Sequence, residues 1–179
     1  MTDALTMPLT LLCGMAAACG LMPADARRRS ADDGCATADV ARLVTVAAVS
    51  LVVSFLAKLE FVNFDTASTE IEAPIQLLLM ATFVLAVPGV RPMAAFYIAA
   101  WSQILAEMGF ECVDLVTNGL VEPLRVICGI ALSVSGALAL YAMCRGWLAP
   151  QLQSGGAYLV SRRKLVFVVA IVVLFLLLR

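Results

Sequence analysis

Histidine is absent from this 179-residue chain. With it go the commonest general base, the commonest transition-metal ligand and the usual axial ligand of haem. Charge is scarce too: charged residues make up 14% of the chain, against about 25% in soluble domains. The formal net charge of −1 supplies no basic field for a nucleic acid, and no cluster of Lys and Arg is interleaved with aromatics. Enzyme motifs are missing as well. There is no His-Glu-x-x-His, no glycine-rich phosphate loop, and no base to serve the nucleophile-like Ser133-Val134-Ser135-Gly136. The cysteines Cys13, Cys19, Cys35, Cys112, Cys128 and Cys144 contain no Cys-x-x-Cys pair, so neither a redox relay nor a metal site is indicated, and most read as small apolar packing residues.

What fills the chain instead is hydrophobic residues, 63% of the total. They fall in six blocks near the roughly 17–25 residues that a transmembrane helix needs: Ala4–Met22, Val40–Ala57, Pro74–Val90, Met93–Ala106, Leu124–Met143 and Leu165–Leu178. The expected fold class is therefore all-α, a polytopic transmembrane helical bundle of five or six spans with a four-helix centre. Residues 1–39 would hold an N-terminal membrane helix and a polar inner loop. Residues 40–148 would form the central bundle, and 149–179 an inner loop and a short C-terminal membrane helix. The first block lacks the positive start of a signal peptide, since Met1-Thr2-Asp3 carries an acid, so it is expected to remain as a helix.

Laid on alternating loops, the basic residues fall to one side. Arg27, Arg28, Arg29, Arg42, Arg91, Arg145, Arg162, Arg163 and Lys164 lie together, and Lys58, Arg125 and Arg179 lie opposite. By the positive-inside rule the larger group is cytoplasmic or its equivalent, which puts both termini outside. Glu60, Asp65, Glu70, Glu72, Glu107, Glu111, Asp114 and Glu122 then share an acidic outer face.

The polar series Gln103, Glu107, Glu111 and Asp114 is spaced four, four and three, which places it on one face of any helix that continues past Gly109. Carboxylates and amides in such a ladder suit a hard cation or a proton. The plainer expectation is a helix that ends near Ala106, its acids in water. Lys58 and Glu60, among Phe55, Phe61 and Phe64, read as interfacial anchors. Glu122 and Arg125, three apart, read as a local ion pair, with Arg125 as counter-ion to the ladder if it faces that way. Gly129, Ser133 and Ala137 recur every four residues and offer a helix-packing face. Pro88-Gly89 and Arg91-Pro92 predict a tight turn between antiparallel neighbours, and Pro74 and Pro123 suit first helical turns.

The run from Arg42 through Lys58 resembles the first helix of DoxX-like small membrane proteins, which carry an arginine, an apolar stretch and a lysine. It covers under a tenth of the chain and lacks the glycine expected before the lysine. The later helices do not extend it.

The functional expectation is a non-catalytic accessory or assembly subunit of a membrane complex. The alternative is a small transporter or channel-like protein passing a cation or proton along the acidic ladder. No cofactor or metal is expected. The partners would be the lipid bilayer and other membrane proteins or further copies of the chain.

Overall fold

A computed structural model describes residues 3–23, 36–64 and 68–153, together with 163–164, 166–168 and 170–171. Among these residues every regular element is helical. In chain order they are α1 (Asp3–Leu21), α2 (Ala36–Phe64), α3 (Ser68–Leu85), α4 (Pro92–Thr117) and α5 (Glu122–Met143). A π-helical turn over Cys144–Leu148 and the short α6 (Ala149–Leu152) follow. The all-α expectation holds.

The prolines and glycines mark most of the boundaries. Pro92 opens α4, where its missing N–H goes unneeded, and Pro123 does the same at the start of α5. Gly89 takes φ 81 in the turn between α3 and α4, a backbone conformation that a side chain would strain. Pro74 departs from its expected place, because α3 begins at Ser68 and holds this proline inside the helix.

Successive helices pack side by side, α2 on α3, α3 on α4 and α4 on α5. Helix α1 packs against all four of them. Leu11, Met15, Ala17, Ala18 and Leu21 of α1 are all buried, and Met80, Val84, Ile98 and Cys144 of the surrounding helices meet them in the core. The N-terminal helix is thus the axis of the bundle.

Close approach to that axis depends on two glycines. A Cβ on Gly14 would run into the end of the Met80 side chain, and one on Gly20 would stand 2.7 Å from the Cys144 Cβ and 2.8 Å from the Tyr141 carbonyl oxygen. Just beyond, Gln153 Nε2 donates to the carbonyl of Leu21 at 3.1 Å, satisfying one of the acceptors that the end of a helix leaves open.

Two helices are long and apolar enough to cross a membrane: Ala38–Leu59, and Glu122–Leu152, which runs from α5 through the π turn into α6. Leu5–Leu21 and Pro74–Leu85 are shorter apolar helices. In both long segments only 11% of the apolar window is buried, so most of their hydrophobic surface faces away from the rest of the protein. The expected C-terminal span, Leu165–Leu178, lies largely outside the described residues, although Val168 packs against Tyr97 and Ala100 of α4. Arg27, Arg28 and Arg29 also lie outside them.

Candidate functional site

Helix α4 continues through Gly109 to Thr117, so Gln103, Glu107, Glu111 and Asp114 do share one helix, and it does not end near Ala106. Continuity of the helix does not give these residues a common environment. Gln103 and Glu107 are buried in the bundle, Glu111 is exposed and Asp114 is half-buried.

The buried pair joins a residue that spacing along the sequence did not single out. Gln76, on α3, is 3% exposed. Gln103 Nε2 donates to Gln76 Oε1 at 2.5 Å and to Glu107 Oε1 at 2.9 Å. Gln76 Nε2 in turn donates to the carbonyl of Met7 at 3.4 Å. Three helices are stitched together through side-chain amides and one carboxylate, and Gln103 Oε1 is left buried with no partner among the described residues. An isolated glutamine in an apolar block gives little signal in sequence, and only the α3–α4 hairpin brings it opposite Gln103.

Asp114 meets Arg125 across the α4–α5 turn, with Arg125 Nη2 2.9 Å from Asp114 Oδ1. Of the two orientations open to Arg125, toward Glu122 or toward the polar series of α4, the side chain takes the second and pairs with Asp114 alone of that series. Glu122 is exposed at the start of α5. Lys58 likewise pairs with Glu72 of α3, the two side chains 13% and 15% exposed. It is a link between helices rather than a lysine reaching outward. The side chains of Glu60, Phe61 and Phe64 lie outside the described set.

The small-residue face of α5 divides. Ser133 and Ala137 are buried, with Cys13 of α1 packed on Ala137 and its thiol 3.5 Å from the carbonyl of Ser133. Gly129 makes no close helix contact, since a Cβ built there would meet nothing within 4 Å. It borders a cavity of about 250 Å³ between α1, α4 and α5, whose wall includes Leu9, Phe110, Asp114, Arg125 and Ser133.

The two ion pairs, Lys58 with Glu72 and Asp114 with Arg125, lie near helix ends, whereas Gln76, Gln103 and Ser133 lie near the middle of their helices. Among the described residues no three Cys, Asp or Glu converge as a metal site, so Glu107, Glu111 and Asp114 do not form a cage for a hard cation. No known protein family, curated protein or solved structure matches this chain. The functional argument therefore rests on the distribution of charge, polarity and space in the bundle.

Proposed function

We propose that this chain is a multi-pass integral membrane protein whose helices associate within the bilayer, and that it works as a non-catalytic subunit of a membrane assembly. The observation that carries the membrane reading is an inversion along α2. Ser50 and Ser54 are turned inward at 3% and 0% exposure, whereas Val40, Val44, Val52 and Leu56 are each more than half exposed. A water-soluble bundle does the reverse. Such a surface suits hydrocarbon, and polar side chains in the interior are the usual means of holding membrane helices together. The same inversion on α3, α4 and α5, where Gln76, Gln103 and Ser133 are buried and Leu78, Leu115 and Leu138 exposed, supports counting further helices among five or six spans. With six, the basic residues favour both termini on the outer side.

The subunit reading is supported by how the interior polar groups are used. Cys13 is bound to Ser133, Lys58 to Glu72, Gln76 to Met7 and Gln103, and Gln103 to Glu107. Bonds of this kind fix helices in place. Extraction in mild detergent, followed by native sizing and mass spectrometry of the tagged protein, tests the reading. A stoichiometric set of other membrane proteins is expected, and a lone monomer counts against it.

A second reading, passage of a proton or cation, is favoured by one observation: Glu107 is a carboxylate 3% exposed within the bundle. Ionisable groups at such depth commonly mark ion pathways. Replacement Glu107→Gln keeps an acceptor for Gln103 while removing the charge. It is expected to abolish cation-dependent flux in vesicles without lowering abundance, and equal flux in variant and parent rules the reading out.

A further inference from the structure

We propose that the cavity between α1, α4 and α5 binds a zwitterionic phospholipid, with Arg125 taking the phosphate, Asp114 the ammonium of an ethanolamine headgroup, and Leu5, Leu9 and Val126 the upper part of one acyl chain. The proposal rests on the membrane reading above, because only a protein in the bilayer meets this ligand at high concentration.

Three observations lead to it. The cavity wall is mixed, with the Asp114 and Arg125 pair among its polar residues and Leu5, Leu9, Val126 and Ile130 among its apolar ones. The pair is 46% and 31% exposed, so both charges can be reached by an incoming headgroup. A lone anion or cation would have to leave one of the two unmatched, whereas a headgroup carrying both signs satisfies them together.

Second, Ser133 lines the same cavity, and its hydroxyl is buried with no partner among the described residues. Buried hydroxyls are seldom left unbonded, and a lipid ester carbonyl supplies the missing acceptor.

Third, at about 250 Å³ the space is smaller than the roughly 300 Å³ at which small-molecule sites begin. An occupant must therefore project from it. Ile130 lines the cavity and is itself 40% exposed, and the neighbouring Ile127 and Val134 are 65% and 46% exposed. The second acyl chain has a continuous apolar flank on α5 to lie against.

The test is native mass spectrometry of the full chain, delipidated in detergent and supplied with phosphatidylethanolamine, phosphatidylglycerol or inorganic phosphate. One retained phosphatidylethanolamine is expected. Gly129→Phe, which fills the cavity from a position with no close neighbour, and Arg125→Gln are each expected to weaken retention about tenfold or more. Asp114→Asn is expected to turn the preference toward phosphatidylglycerol. Unchanged melting of Gly129→Phe shows that the fold survives the substitution. Equal retention of both lipids by the parent, or retention unaffected by Gly129→Phe, overturns the proposal. Displacement of the lipid by millimolar inorganic phosphate overturns it in favour of a free-anion site. Alkaline carbonate treatment of membranes separates the two levels of the argument. Release of the protein defeats the membrane reading and this proposal with it, whereas a protein that stays in the membrane yet retains no lipid defeats the lipid site alone.

Discussion

Gly20 of α1 lies against Tyr141 of α5 so closely that a Cβ would stand 2.8 Å from the Tyr141 carbonyl oxygen. The obstacle is backbone, which cannot swing aside as a side chain can. Gly20→Ala is expected to force the two helices apart and to lower stability by about 1–3 kcal/mol, the usual range for overpacking. Gly14→Ala should be milder, because what it meets is chiefly the flexible end of Met80. Gly129→Ala, facing open space, should be neutral or stabilise by up to about 1 kcal/mol through helix propensity. Thermal unfolding in detergent ranks the three, and a Gly20→Ala protein as stable as the parent would mean that α1 does not sit at this distance.

The Lys58–Glu72 pair offers a second test. With side chains 13% and 15% exposed, each charge is largely removed from solvent and depends on the other. Lys58→Met or Glu72→Leu alone should destabilise by about 3 kcal/mol, since each strands a buried charge, and the double variant should recover most of the loss. A double-mutant cycle with no coupling would place the two residues apart.

Much of this bundle could be anticipated along the chain, for identifiable reasons. Block length, Pro92, Pro123 and the Pro88-Gly89 turn are local signals, and they located α4, α5 and the α3–α4 hairpin. The central place of α1 was not legible, because hydropathy is alike for a helix surrounded by protein and one surrounded by lipid. Gly14 and Gly20 carried the available hint. The four-residue rhythm of Gln103 and Glu107 was visible, but its partner Gln76 stands 27 residues before Gln103 and is brought there only by the hairpin. Arg125 was read against Glu122 because spacing along one helix makes near neighbours conspicuous, whereas Asp114 reaches it across a turn. Gly129, Ser133 and Ala137 share a face by periodicity, yet α1 covers only the last two closely.

Gln103 holds the interior network at its middle, donating to both Gln76 and Glu107. Gln103→Leu keeps the volume roughly constant but leaves two buried acceptors without that donor. The lost hydrogen bonds are expected to cost at most about 1–3 kcal/mol each. Gln103→Glu should be worse than Gln103→Leu, because it sets a second carboxylate beside Glu107 in a poorly solvated interior. Comparing the melting temperatures of the two variants checks this ordering, and a Gln103→Glu protein more stable than Gln103→Leu would show that the interior is wet at this point.

Asp114 and Arg125 form a salt bridge of ordinary length, 2.9 Å, but it should behave unlike the one between Lys58 and Glu72. Side chains that are 46% and 31% exposed keep much of their solvation, and such pairs contribute about 0–1 kcal/mol. Asp114→Asn is therefore expected to leave the melting temperature nearly unchanged. What it should alter is the charge presented by the cavity, leaving Arg125 without its carboxylate. Measured together, stability and lipid preference separate the two roles. A large fall in stability would make the pair a fastening between α4 and α5, whereas an unchanged melting temperature with a shift toward anionic lipid would make it the recognition element of the site.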